Sequence, residues 1–202
     1  MRTPAKIISF VFHPLLLATY LVLVLGKFFP AMLMIAPNQL ALVTLFVFAF
    51  TFLIPVINLL LFRYLGSISS IHLESRQERV LPFIFISVMY LLVVFLFYFR
   101  LPFNSNFNKL MTIVAVLVVF STIITFFYKV SVHSLAMGGW LGILFPLIKF
   151  SPSLLWPTAT VIAIAGLVIS SRLALDVHTP RETLVGVIAG LLTSYGAMVI
   201  LF

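Results

Sequence analysis

Long apolar runs separated by short polar segments make up most of this chain. A helix needs about 20 consecutive apolar residues to cross the hydrocarbon core of a bilayer. Stretches near that length recur from one end of the sequence to the other. We therefore predict an all-α fold, a polytopic transmembrane helix bundle of six to seven spans. The seven candidate spans lie near 10–29, 38–62, 81–99, 109–128, 134–149, 153–170 and 183–202.

Proline and glycine residues set the boundaries of these spans. The pair Thr179-Pro180 is typical of a helix that has a capping residue and then proline at its first position. The fifth span is short and contains Gly138-Gly139, which leaves the count at six or seven. In the last span, Gly186 and Gly190 stand one helical turn apart, and this spacing predicts close packing against a neighbouring helix.

The composition excludes a water-soluble globular protein. The 202 residues are 63% hydrophobic and 8% charged, whereas soluble domains are about 25% charged. Cysteine is absent from the chain, which excludes disulfides, thiolate catalysis and cysteine-ligated metals. We expect a single membrane-embedded domain over residues 1–202. Arg2 and Lys6 precede the first apolar run as in a signal peptide, but no small-residue cleavage site follows, so we expect a retained first helix.

The net charge of +8 does not point to nucleic acid. The basic residues are scattered through the loops and form no stripe along one face. Anionic lipid headgroups or a phosphorylated lipid are therefore the expected partners, together with the bilayer itself. The oligomeric state is left open by the sequence.

Three polar loops, at 63–80, 129–133 and 171–182, are each separated from the next by two crossings, so all three lie on one membrane face. One polar site built from three loops would produce this concentration of ionisable residues. The loops contain Glu74, Glu78, Asp176, Glu182, His72, His133, His178, Arg63, Arg76, Arg79, Arg172 and Arg181.

The third loop carries a spaced set of polar residues. Ser171-Arg172 is followed after five residues by His178, and after three more by Glu182. This pattern resembles the third motif of the type 2 phosphatidic acid phosphatase superfamily, in which the last residue is Asp. The resemblance implies that His178 is a nucleophile that forms a phosphohistidine, that Glu182 orients it, and that Arg172 binds phosphate.

The second motif of that superfamily, Pro-Ser-Gly-His, is similar to the segment that ends at His133. This chain keeps the serine, Ser131, and the histidine, and it has valine in place of proline and of glycine. The resemblance implies that His133 is the general acid that protonates the leaving oxygen. Ser131 and Lys129 then become candidate phosphate-binding residues beside it.

The first motif of the family, Lys-x6-Arg-Pro, resembles this chain least. Arg79 matches the arginine, while His72 stands at the lysine position and Val80 at the proline. The resemblance implies that Arg79 binds phosphate. Arg76, Arg79 or Lys129 could supply the missing cation. The motifs together span residues 72–182.

The chemistry is consistent with these roles. Phosphoryl transfer requires an in-line nucleophile, a proton donor for the leaving oxygen and fixed cations around three equatorial oxygens. Histidine acts as a nucleophile when an acceptor holds its other nitrogen and fixes the tautomer. Glu182 can serve as that acceptor. We therefore expect hydrolysis of a lipid phosphomonoester or pyrophosphate, such as phosphatidic acid, phosphatidylglycerophosphate or a polyprenyl pyrophosphate, with no metal and no cofactor.

Several residues also have simpler interpretations. Thr179 to Glu182 is a capping-box sequence, so Glu182 could only close the N-terminus of the last helix. Asp176 is expected in a loop or cap. We expect His13, next to Pro14, to be a structural residue at the membrane interface.

Two other functional classes are open. His178 and Glu182 could ligate a metal with Glu74 or Glu78 in an intramembrane hydrolase, although no His-Glu-x-x-His motif is present and Arg172 would then have no role. A lipid-phosphate binding or transport protein could use the same cations without turnover.

The expected location is a bacterial inner membrane. Lys27, Arg100, Lys109 and Lys149 lie opposite the motif loops, which leaves eight of the twelve basic residues on the motif face. That count favours the cytoplasm. Four of the eight, however, are site or near-site residues, and the superfamily resemblance implies an extracytoplasmic site, which we favour.

Overall fold

Helices build the fold, and no strand occurs among the residues that the structure describes. The computed structural model describes residues 2–68, 76–101 and 103–202, apart from the side chain of Arg76. Two 3-10 turns, Pro14–Leu16 and Pro152–Leu154, precede helices, and a π-helical turn occupies Ala49–Leu53. The α-helices are α1 Arg2–Val11, α2 Leu17–Phe28, α3 Pro30–Leu33, α4 Leu40–Phe48, α5 Ile54–Tyr64, α6 Arg76–Phe99, α7 Ser105–Phe127, α8 Val132–Ile148, α9 Leu155–Ala174 and α10 Pro180–Leu201.

Six stretches of the described chain are long and apolar enough to cross a membrane, and α8 is a shorter apolar helix. The predicted all-α polytopic bundle is therefore confirmed. Helix α8 corresponds to the short fifth span, and most of its residues are buried by its neighbours. The six stretches are Arg2–Phe28, Leu40–Tyr64, Gln77–Phe99, Ser105–Phe127, Pro152–Ala174 and Pro180–Leu201.

The first predicted span, 10–29, is wrong in its detail because the helix breaks inside it. Helix α1 ends at Val11, and the chain turns at His13 and Pro14 before α2 begins. Proline has no N–H to continue the ladder, and it disfavours helical geometry in the residue before it. His13 is accordingly extended, with φ −65° and ψ 137°. Helix α1 packs against α9 with Ala5 and Ser9 buried.

Helix α9 is longer than predicted. We expected it to end near residue 170, but it continues to Ala174, so Ser171 and Arg172 lie in its last turn and not in a loop. The Ser171 hydroxyl donates to the carbonyl of Leu167 at 2.7 Å, an i−4 bond that a helical serine can form. Asp176 follows the C-cap residue Leu175 with φ 57°, the left-handed conformation that commonly ends a helix, in agreement with the expected loop or cap position.

Close packing of α8 against α10 confirms the predicted role of Gly186 and Gly190. A Cβ atom on Gly190 would lie 2.0 Å from the carbonyl oxygen of Leu135, and one on Gly138 would lie 2.1 Å from that of Val187. The two helices therefore run parallel in direct backbone contact. Their N-termini start at the same membrane face, where residues from the second and third motifs are brought together.

Candidate active site

Ionisable residues from four separate segments surround one cavity of about 110 Å³. The cavity lies where the α1–α2 break, α6, α8 and the α9–α10 connection meet. Among the described residues that line it are two arginines and three histidines but no carboxylate, so it favours an anion. The lining residues are His13, Pro14, Leu15, Leu59, Arg79, Phe83, Ile86, Val132, His133, Arg172 and His178.

His178 is held by Glu182 at the start of α10. Its Nδ1 lies 2.7 Å from Oε2 of Glu182, four residues along the chain. Because a carboxylate accepts, Nδ1 carries the proton and Nε2 keeps its lone pair. Burial lowers the pKa of His178 to about 4, and the two nearby guanidiniums act in the same direction, while Glu182 partly opposes them. The imidazole is therefore neutral at pH 7, which is the form that can attack phosphorus.

The same Glu182 oxygen closes the N-terminus of α10. It accepts a hydrogen bond from the backbone N–H of Thr179 at 3.3 Å, and the hydroxyl of Thr179 accepts one from the N–H of Glu182 at 3.2 Å. This is the capping box that the sequence predicted. The two interpretations of Glu182 are therefore compatible, since one oxygen serves the cap and the imidazole together.

His133 lies in the first turn of α8, and α1 holds one of its ring nitrogens. Its Nε2 is 3.0 Å from the carbonyl oxygen of Ser9. A carbonyl can only accept, so Nε2 donates and Nδ1 is the nitrogen left for chemistry. The segment that orients His133 thus comes from the other end of the sequence.

Two guanidiniums face the cavity from different helices. Arg79, in the first turns of α6, is buried and donates from Nη1 to the carbonyl of Val130 at 3.3 Å. Arg172, in the last turn of α9, has a buried Nε that contacts no acceptor among the described residues. A buried donor without a partner is rare in folded proteins. An anion in the cavity would satisfy it.

The family model described as PAP2 superfamily matches residues 125–202 of the chain. This match confirms the predicted resemblance to the superfamily over residues 125–202. The match includes the second and third motifs together with α8, α9 and α10, and the first motif lies outside it. No curated protein and no solved structure matches the chain significantly. Superfamily members are generally phosphatases, so the match favours phosphatase-type activity on lipid phosphates. The long apolar helices indicate an integral membrane protein.

Ser131 of the second motif and Lys129, just before that motif, do not line the cavity. Ser131 is fully buried, and its hydroxyl caps α8 by accepting from the N–H of Ser134 at 3.4 Å. Its backbone N–H donates to the carbonyl of Glu182 at 3.3 Å, which ties the second motif to the third. Lys129 lines a second cavity, of about 460 Å³, on the other side of His178 and Glu182. Both were predicted to bind phosphate, and neither lines the cavity that contains Arg172.

The first PAP2 motif is described only in part. Arg79 lies in the cavity wall. The side chain of Arg76, a predicted phosphate ligand, lies outside the described residues, as do His72 and Glu74. Glu78 follows in α6.

His13 lines the cavity, although the sequence predicted only a structural residue at the interface. Its ring centroid lies 5.5 Å from that of His133. The sequence signal was local and weak: a histidine directly before a proline that interrupts a span. Only the fold shows that this break lies beside α8 and α9.

Proposed function

We propose that this protein is a membrane-bound lipid phosphatase of the PAP2 superfamily that hydrolyses a phosphomonoester or pyrophosphate through a phosphohistidine. The observation that carries the proposal is the 2.7 Å contact between His178 Nδ1 and Glu182 Oε2, which leaves Nε2 unprotonated at a cavity containing two guanidiniums. Each member of this set matches a requirement of phosphoryl transfer.

In the first step, Nε2 of His178 attacks phosphorus while the bond to the leaving oxygen breaks. Glu182 supports the imidazolium that forms, because Nδ1–H already donates to it. Arg79 and Arg172 bind the nonbridging oxygens, and the unpartnered Nε of Arg172 gains an acceptor. His133, protonated at Nδ1 in the complex with the anionic substrate, delivers that proton to the leaving oxygen, which departs as an alcohol or, from a pyrophosphate, as a lipid monophosphate.

In the second step, water attacks the phosphohistidine. Nδ1 of His133 accepts a proton from the water as the new oxygen–phosphorus bond forms, and the nitrogen–phosphorus bond breaks. His178 is regenerated with its lone pair on Nε2, and inorganic phosphate leaves. The cycle needs no metal and no cofactor.

The apolar side of the cavity supports a lipid substrate. Leu59 of α5 lines the cavity together with Phe83 and Ile86 of α6. A headgroup held by the arginines would place its first methylene groups against these side chains. Phosphatidic acid, phosphatidylglycerophosphate and polyprenyl pyrophosphate all combine an anionic headgroup with an apolar chain.

Phosphate release by the purified protein in detergent tests the proposal. We expect turnover of at least one of these three lipid classes in the presence of EDTA, and loss of turnover in His178→Ala. Acid-quenched protein should contain phosphohistidine only when His178 is present. Activity that EDTA abolishes would support the metal-dependent alternative. Lipid binding without turnover, unaffected by His178→Ala, would support a binding or transport protein.

We further propose that the site faces the extracytoplasmic side of a bacterial inner membrane. Because the chain has no cysteine, a single introduced cysteine is a unique label. Arg181→Cys, exposed at the motif face, should react with an impermeant maleimide in intact cells. Lys149→Cys, exposed at the opposite end of α8, should react only after the cells are opened. The reverse pattern would place the site in the cytoplasm.

A further inference from the structure

His13 belongs to the wall of the cavity that contains His133, His178, Arg79 and Arg172. It stands at the break between α1 and α2, far from the three motifs in sequence. Its ring meets that of His133 edge to face, with the centroids 5.5 Å apart and the planes at 79°. Thus three imidazoles and two guanidiniums border one small space.

The local backbone determines the tautomer of His13. The residue caps the 3-10 turn Pro14–Leu16, and its Nδ1 accepts a hydrogen bond from the N–H of Leu15 at 3.3 Å. An accepting Nδ1 has no proton, so the neutral ring carries its proton on Nε2. His13 is therefore an N–H donor, and no acceptor among the described residues contacts its Nε2.

The donors available for a phosphoryl group are otherwise few. Arg79 and Arg172 are the described cations that line the cavity. The lysine position of the family's first motif is occupied by His72, outside the described residues, and Lys129 lines the other cavity. Three nonbridging oxygens need several donors in fixed positions.

Packing fixes the position of the segment that carries His13. Helix α1 lies against α9, and its buried Ser9 accepts the hydrogen bond from His133 through its carbonyl oxygen. The hydroxyl of Tyr20 in α2 donates to the carbonyl of Val11 at 2.8 Å, which ties the two sides of the break together. His13 is thus held beside the residue that we assign as general acid.

We propose that His13 is a substrate-binding residue whose Nε2–H donates a hydrogen bond to a nonbridging oxygen of the bound phosphate. The inference rests on the proposed function for the identity of the anion. It gives the N-terminal helix pair a direct part in the site, outside the segment that the PAP2 family model matches.

A pair of substitutions separates this role from helix capping. His13→Asn keeps an acceptor at the position of Nδ1 and so preserves the cap, since asparagine is a good N-cap residue, but it removes the donor. His13→Gln reaches the position of Nε2 with an amide N–H and loses the cap. Tyr20→Phe removes the bond to Val11 without touching the cavity, and so controls for loosening of the break.

Inorganic phosphate is the probe, and its binding to the full chain in detergent is measured by calorimetry beside KM for the lipid substrate. We expect His13→Asn to weaken phosphate binding and raise KM by about 10- to 100-fold, the usual effect of losing a hydrogen bond to a charged group. His13→Gln should retain most of the affinity, and Tyr20→Phe should bind as the wild type does. Wild-type affinity in His13→Asn, or weaker binding in His13→Gln than in His13→Asn, would overturn the inference.

The two proposals fail in different ways. If His13→Asn weakens phosphate binding but the wild type turns over no lipid phosphate, the hydrolase activity is refuted and the binding role of His13 stands. If the wild type is an active phosphatase and His13→Asn leaves both constants unchanged, only the inference about His13 is refuted. Wild-type protein that neither binds phosphate nor turns over lipid would overturn both.

Discussion

Oε2 of Glu182 lies 2.7 Å from Nδ1 of His178, and the same oxygen accepts the N–H that completes the capping box of α10. Folding of the last helix and orientation of the proposed nucleophile therefore depend on one side chain. The family pattern has the shorter aspartate here. A glutamate at the third helical position can reach both the cap and the imidazole.

Two substitutions distinguish these roles of Glu182. Glu182→Gln keeps an acceptor for the cap but loses the charge that stabilises an imidazolium at His178. We expect kcat to fall by about 10²- to 10⁴-fold, as for other removed orienting acids. Thr179→Ala removes the hydroxyl half of the cap, and we expect a loss of about 1 kcal/mol of stability with activity retained. Phosphate release and thermal unfolding in detergent measure the two effects. Equal loss of activity in both variants would show that Glu182 acts only in capping α10.

The pH profile follows from the low pKa of His178, about 4, compared with the ordinary value of 6.5. A lowered pKa means that the neutral nucleophile persists as the pH falls from 6.5 and is lost only near pH 4. We expect the acid limb of kcat/KM that arises from His178 to lie near pH 4. Because Glu182 raises this pKa, Glu182→Gln should move that limb to still lower pH.

The wild type and Glu182→Gln act on the same substrate, so ionisation of the substrate phosphate affects both pH profiles equally. The difference between the two acid limbs therefore reflects ionisation of a group on the enzyme. An acid limb that shifts upward in Glu182→Gln would contradict the assignment of His178 as the group that must be deprotonated.

Much of the fold was readable from the chain because the bilayer permits few alternatives. Apolar runs of sufficient length become helices, since buried backbone groups must be paired. The motif resemblance also implied that Glu182 orients His178. The two side chains do meet, with His178 just before the N-cap residue and Glu182 at the third helical position of α10. The sequence did not predict where α9 ends. Ser171 and Arg172 can both occupy the final turn of a helix, so no residue marked its end.

The location of His13 could not be predicted for a different reason. Pro14 indicates a break, but the packing partner of that break depends on how α1 lies against α9, which no local pattern encodes. Ser131 is the opposite case, a predicted phosphate-binding residue that does not line the cavity. Its motif position implied a phosphate ligand, whereas the start of α8 uses its hydroxyl as a cap.

The proposed general acid can be tested through the leaving group. His133→Gln places an amide N–H where Nε2 donates to Ser9, so the contact with α1 is kept while proton delivery is lost. We expect about a 10²- to 10⁴-fold loss of kcat on an alkyl lipid phosphate, whose leaving oxygen needs the proton. With p-nitrophenyl phosphate the leaving group is stable as an anion, and the loss should be much smaller. A uniform loss on both substrates would assign His133 to positioning alone.

The register of α8 against α10 depends on glycines, and Gly190→Ala tests this. The added Cβ would lie 2.0 Å from the carbonyl oxygen of Leu135, backbone that cannot rotate away, so the helices must separate. Separation would move His133 relative to His178, and we expect loss of both thermal stability and activity. Gly196→Ala, in the same helix, meets nothing within 4 Å and provides the matched control, with little change expected in either property. Normal stability and activity in Gly190→Ala, measured by thermal unfolding and phosphate release in detergent, would show that the site tolerates a looser contact between the two helices.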